Sequence, residues 1–102
     1  MTGREPEGAH DVTEVTFTQM VSASGLSESE LVELVRYGAL VPRDPAAATM
    51  TFEARWILVA RTASRLQREL DLDPHGASVV MSFLERIESL EAELRSLRAR
   101  LG

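Results

Sequence analysis

The chain has 102 residues, of which 44% are hydrophobic and 26% are charged, and its net charge is −5. These values are typical of one small globular domain and exclude an intrinsically disordered chain. Cysteine is absent, which excludes disulfides, thiolate metal sites and cysteine nucleophiles. No apolar run approaches the roughly 18–20 residues that span a bilayer, and the first residues lack the apolar core of a secretory signal. We therefore expect a cytoplasmic protein without membrane contact.

The sequence divides into three parts. Residues 1–14 are polar and without periodicity, so we expect a disordered tail. Residues 15–72 read as a winged helix-turn-helix-like domain, and residues 73–102 as a long dimerisation helix. The order of the predicted elements supports this division.

The first predicted elements are a short strand and a short helix. Residues 15–18 alternate between apolar and polar side chains, as a short strand does. Thr18 is predicted to cap a helix over residues 19–24, with Phe17 before it as a hydrophobic staple. Gly25 then supplies the left-handed residue that commonly ends a helix.

A second helix follows immediately. Ser27 and Glu30 have the spacing of a capping box, and Gly38 marks the end of the helix. Two short helices joined by a glycine turn predict a helix-turn-helix unit. The apolar stripe of the second helix consists of Leu31, Leu34 and Val35.

The next segment is predicted to form a small two-stranded wing. Pro42 and Pro45 exclude a helix there. Two short extended pieces, near 39–42 and 49–52, flank a loop rich in proline and alanine. We expect them to pair as a hairpin.

A third helix is predicted over residues 53–70, with Thr51 as its cap. Its apolar stripe, spaced by three and four residues, consists of Trp56, Val59, Ala60, Ala63, Leu66 and Leu70. The opposite face carries the arginines Arg55, Arg61, Arg65 and Arg68. That face is either solvated with local ion pairs, which we favour, or a site for an acidic partner or phosphate.

The last predicted helix is too long for a compact domain. Asp73 is a good N-cap and Pro74 suits the first helical position, so we expect one helix over residues 74–101, about 42 Å long. Its apolar residues alternate in steps of three and four, which is a heptad seam. The seam residues are Val80, Phe83, Ile87, Leu90, Leu94, Leu97 and Leu101.

This seam predicts a homodimer, because leaving the stripe in water would forfeit about 1.5–3 kcal/mol per aliphatic side chain. Flanking charges are complementary in both orientations, so parallel and antiparallel pairing stay open. We expect the core of the preceding domain to contain Met20, Leu31, Leu34, Val35, Leu40, Phe52, Trp56, Val59, Ala63, Leu66 and Leu70.

No pattern predicts catalysis. His10 and His75 are the only imidazoles, and neither has metal-ligand spacing to a partner. The sequence has no phosphate-binding glycine loop and no nucleophile elbow. We therefore expect neither an enzyme nor a bound cofactor or metal.

The polar face of the second helix carries the predicted partner-binding residues: Glu28, Glu30, Glu33 and Arg36. A helix that reads DNA presents arginine, lysine, asparagine or glutamine to bases. Three carboxylates would instead repel phosphates, so we expect no direct nucleic-acid binding through this helix. The two other interpretations are a solvated acidic face and a docking site for a basic protein partner, and we favour docking.

Helix-turn-helix, wing, helix and long terminal helix together resemble the MerR-like architecture. The resemblance rests on Val15-Thr-Phe-Thr, Gly25-Leu-Ser, Leu31 and Gly38-Ala-Leu-Val-Pro42. MerR-type activators carry an arginine followed by aromatic residues just after the position of Leu31, where this chain has Val32, Glu33 and Leu34. This departure argues against DNA binding. The shared order of elements implies a mainly α, winged helix-turn-helix fold with a long coiled-coil dimerisation helix.

The chain is also similar to the chaperone-modulator CbpM family over about residues 15–101. The residues concerned are Gly25-Leu-Ser-Glu-Ser-Glu-Leu31, Val41-Pro-Arg43, Arg65-Leu-Gln-Arg-Glu-Leu-Asp-Leu-Asp73, Gly76 and the leucine-rich helix from Ile87 to Leu101.

The resemblance implies an adaptor that binds the J-domain of a DnaJ-type, CbpA-like co-chaperone. Members of the family hold back that co-chaperone's stimulation of Hsp70 and its DNA binding. The protein would then act in the cytoplasm, or at the nucleoid through its partner. Two other hypotheses stay open: a MerR-like DNA-binding regulator that uses the wing and the arginine face, and a purely structural dimer module. The carboxylates of the long helix, Glu85, Glu88, Glu91 and Glu93, are a second acidic candidate surface.

Overall fold

The computed structural model describes residues 13–102. The predicted tail lies outside the described residues except for its last two, of which Glu14 already belongs to a strand. In chain order the elements are β1 (Glu14–Thr16), α1 (Phe17–Ser24), α2 (Glu28–Arg36), β2 (Thr51–Glu53), α3 (Trp56–Glu69) and α4 (Pro74–Leu101). The fold is mainly helical with a two-stranded antiparallel sheet, as predicted.

Both strands of this sheet overlap segments predicted to be extended, 15–18 and 49–52, but they do not pair as predicted. β2 pairs with β1, which places Val15 opposite Phe52, and both side chains are buried. Residues 39–42 form no strand, so the predicted hairpin with residues 49–52 is wrong. Pro42 lacks the N–H group that a ladder needs, whereas Val15 gains a buried partner from β1–β2 pairing. One backbone bond from Arg43 N to Thr51 O, at 2.8 Å, ties the loop to the strand.

The helix-turn-helix unit has two capping boxes. α1 begins at Phe17, so the predicted cap at Thr18 is wrong. Thr16 Oγ1 accepts a hydrogen bond from Gln19 N at 3.1 Å, and Gln19 Oε1 accepts one from Thr16 N at 2.9 Å. The predicted box of Ser27 and Glu30 at the start of α2 is confirmed. A threonine with glutamine three residues later is the same capping-box signature, and it lies eleven residues before Ser27.

Replacing Thr16 with alanine should lower the free energy of unfolding by about 1 kcal/mol, because the backbone N–H of Gln19 in α1 loses its acceptor, Thr16 Oγ1. Thr18→Ala is the matched control, since Thr18 is exposed and lies inside the helix. Urea unfolding followed by circular dichroism measures both variants. Equal losses for the two substitutions would contradict the assigned cap.

Two glycines end helices as predicted. Gly25 has φ of 83° after α1, and Gly38 has φ of 80° two residues after α2. Both values lie in the left-handed region that glycine adopts without steric cost.

The starts of α3 and α4 differ in how they are capped. α3 begins at Trp56 after Arg55, without a side-chain cap, so the predicted cap at Thr51 is wrong because Thr51 lies in β2. At α4, Asp73 accepts a hydrogen bond from Gly76 N at 2.8 Å and Pro74 is the first helical residue, as predicted.

The core forms where α1 packs on α3 and where α2 and α3 pack on the first turns of α4. The predicted core residues that are buried are Met20, Leu31, Leu34, Leu40, Phe52 and Ala63. Val35, Trp56, Val59 and Leu66 are partly buried against them. Leu70 is 55% exposed, so its assignment to the core was wrong. It follows the last residue of α3, where the chain turns away through Asp71 with φ of 56°.

Candidate partner-binding surfaces

The predicted acidic surface on α2 is divided by the structure. Glu30 is half-buried and makes internal hydrogen bonds. Its Oε1 accepts from Ser27 N at 2.9 Å, and its Oε2 accepts from Gln67 Nε2 at 3.0 Å. Glu30 therefore fixes α2 against α3, and its carboxylate is not free for a partner.

The outward face of α2 carries the remaining predicted residues. Glu28 is exposed in the first turn, where the helix dipole favours a negative charge. Glu33 accepts a bond from Arg36 at 3.0 Å, and the Arg36 side chain is 70% exposed. Ion pairs at a protein surface contribute about 0–1 kcal/mol to stability. The Glu33–Arg36 pair can therefore be replaced at little cost by ion pairs with a partner. The face keeps one negative charge beyond this pair.

The seam on α4 lies open along the isolated chain. Val80 is partly buried beside the domain. The other predicted seam residues are between 47% and 88% exposed: Phe83, Ile87, Leu90, Leu94, Leu97 and Leu101. A continuous apolar stripe of this length on one helix is typical of a surface that another helix covers.

Two arginines of α3 have a structural role that the sequence did not reveal. Arg61 Nε donates to Ala23 O at 2.9 Å, and Arg68 Nη2 donates to Gly25 O at 2.7 Å. These carbonyls lie at the C-terminal end of α1, where the helix dipole is negative. Arg61 and Arg68 therefore cap the C-terminal end of α1.

Arg55 is also engaged, through a 2.6 Å bond to Glu53 and a guanidinium 5.0 Å from the centre of the Trp56 ring. Arg65 is exposed and makes none of these contacts within residues 13–102. Of the local ion pairs predicted for this face, the described part of the chain contains the pair between Arg55 and Glu53.

Two surface features escaped sequence reasoning. The Tyr37 and His75 rings stack at a centroid distance of 4.6 Å where α2 meets α4. A groove between α3 and α4 is lined by Leu58, Val59, Thr62, Met81, Leu84, Glu85 and Glu88. Leu58 is a leucine on α3 that does not belong to the apolar stripe of that helix. Its position is the feature of the sequence that could have predicted the groove.

Across residues 13–102, no group of three or more histidine, aspartate or glutamate side chains is placed to hold a metal ion. No helix in that range is both long enough and apolar enough to cross a membrane.

The chain also shares sequence similarity with known proteins. The family model described as MerR HTH family regulatory protein matches residues 15–99. The chain is similar to the chaperone modulatory proteins CbpM of Escherichia coli strain SE11, Escherichia coli strain SMS-3-5 and Shigella boydii serotype 18. Each is 37% identical over 87 residues, which cover 85% of this chain and 86% of the relative.

Proposed function

Since the chain belongs to the CbpM family of chaperone modulatory proteins, within the MerR-like helix-turn-helix superfamily, we propose that it is a chaperone adaptor. Its partner is the J-domain of a DnaJ-type, CbpA-like co-chaperone. By occupying that domain it inhibits the stimulation of Hsp70 and the DNA binding of the co-chaperone. The observation that carries this proposal is the 37% identity to chaperone modulatory proteins over 85% of the chain. It acts by binding, not by catalysis, in the cytoplasm or at the nucleoid with its partner.

The proposed docking surface is the outward face of α2. Glu28 and the Glu33–Arg36 pair offer charges to the basic helix that the family resemblance implies for a J-domain. Complementary charges steer association and set specificity. Glu30 supports this face indirectly, because its bonds to Ser27 and Gln67 hold α2 in place.

The second part of the proposal is a homodimer formed through the α4 seam. Its support is the exposed stripe from Phe83 to Leu101, which the isolated chain leaves uncovered. A dimer would present two α2 faces, one from each protomer.

A DNA-binding regulator is the alternative that the matching family model favours by its description. The acidic face of α2 and the engagement of Arg61 and Arg68 at α1 argue against it. A gel shift at low salt against the region upstream of the protein's own coding sequence separates the two. We expect no retardation.

Neutralising the outward carboxylates of α2 should weaken J-domain binding. We expect Glu28→Gln with Glu33→Gln to raise the Kd roughly three- to thirtyfold, because each lost rim charge contributes up to about 1 kcal/mol. Calorimetric titration with the isolated J-domain at low and moderate salt measures this, and the wild-type affinity should fall as salt rises.

The matched control is Asp44→Asn with Glu69→Gln, which changes the net charge equally at exposed positions away from α2. It should bind like the wild type. Absence of wild-type binding at either salt concentration would contradict the adaptor function. Equal binding by all three proteins would reject only the α2 surface.

A further inference from the structure

We propose that the groove between α3 and α4 binds a basic amphipathic helix from a protein partner. The groove is formed by one turn of α3 and two turns of α4, just where α4 begins to project beyond the domain. The proposal stands independently of J-domain binding.

The floor of the groove is apolar and partly uncovered. Leu58 is 69% exposed and Leu84 is 43% exposed, on either side of Met81, which is 9% exposed. Single apolar residues on a protein surface are common and do not indicate a binding site. Two exposed leucines beside a buried methionine form a contiguous apolar patch, which is typical of one. Their burial by a partner would supply most of the binding free energy.

The rim of the groove is acidic. Glu85 and Glu88 are exposed and three residues apart on α4, so they lie on the same side of that helix. Within residues 13–102, no arginine nitrogen lies within 4.0 Å of either carboxylate. Lysine or arginine side chains flanking an apolar stripe would pair with them. An acidic helix, a nucleic acid or an anionic lipid surface would be repelled.

The groove is separate from the dimer seam. At about 100° per residue, the groove residues Met81, Leu84 and Glu88 lie roughly 100° to 160° around α4 from the middle of the seam. A second copy that pairs through Leu90 and Leu94 therefore leaves the groove open.

The dimensions of the groove suit a helix. Met81 to Glu88 spans two helical turns, about 10 Å along α4. This length accommodates about two turns of a docked helix that inserts anchors at i, i+3 or i+4, and i+7.

The probe for this site is a fluorescein-labelled 18-residue peptide of leucine and lysine with one apolar face, measured by fluorescence anisotropy. Saturable binding is expected from the full-length protein. A peptide of the same composition in scrambled order, which lacks the apolar face, should bind at least tenfold more weakly. A salt titration should weaken binding of the amphipathic peptide.

Variants then locate the site. Leu58→Ala should raise the Kd of the peptide at least tenfold, and Glu85→Gln with Glu88→Gln should raise it three- to thirtyfold. Asp44→Asn with Glu69→Gln, two exposed positions outside the groove, is the charge-matched control and should leave the Kd of the peptide unchanged. The proposal is overturned if the scrambled peptide binds as well, or if the groove variants bind like the wild type. It is also overturned if Leu58→Ala abolishes the dimer in sedimentation, because a second copy would then occupy the groove.

Discussion

Replacing Leu94 with aspartate should turn the dimer that we propose into a monomer. Leu94 is 47% exposed on the isolated chain and lies in the middle of the seam, between Leu90 and Leu97. In a paired coiled coil each seam side chain inserts between four residues of the facing helix. An aspartate there must lose its hydration or separate the helices.

The size of this effect follows from two copies of the substitution in each dimer. Burying one leucine is worth about 1.5–3 kcal/mol, so the dimer should lose about 3–6 kcal/mol. At 1.4 kcal/mol per tenfold, dimer affinity falls about a hundred- to ten-thousandfold. The charge of the buried aspartate adds to this loss.

Sedimentation velocity over a range of protein concentrations measures the change directly. Ala92→Asp is the matched control, because it introduces the same charge two residues away on the side of α4 that faces away from the seam. The control should remain dimeric. A dimer that survives Leu94→Asp at the wild-type concentration would show that another surface holds the protomers together.

The elements best predicted from the sequence are those set by neighbouring residues. Ser27 with Glu30, and Asp73 with Pro74, mark the starts of α2 and α4 because capping bonds join residues only a few positions apart. The bounds of α4 follow from the same local chemistry together with its heptad spacing.

What the sequence could not predict depends on contacts between distant residues. β2 could pair with the preceding loop or with β1, and only the packing of Val15 on Phe52 in the assembled core decides. With residues 51–53 in the sheet, α3 begins at Trp56 and not at the predicted residue 53.

The candidate site shows the same division. Glu28 and Glu33 face outward as predicted, but Glu30 turns to Gln67, which lies 37 residues away in the chain. Arg61 and Arg68 likewise reach α1 over 38 and 43 residues. Residue type and spacing identify a charged face, whereas the partner that each charge finds within the fold depends on tertiary packing.

Truncating a buried side chain of the helix-turn-helix core to alanine should lower the stability of the fold, whereas truncating an exposed side chain of the groove should not. Leu34→Ala removes a side chain that is fully buried between α2 and the rest of the core. Such substitutions cost about 2–5 kcal/mol, because burial is lost and a cavity remains. For a domain of this size the melting temperature should fall by about 10–40 °C.

Leu58→Ala makes the same chemical change on α3 at a side chain that is 69% exposed. It should change stability by no more than about 0.5 kcal/mol. Thermal unfolding of both variants at one protein concentration, followed by circular dichroism, makes the comparison. A large loss of stability from Leu58→Ala would mean that the Leu58 side chain is covered in solution. A small loss of stability together with weaker peptide binding would show that the groove contributes to binding and not to folding.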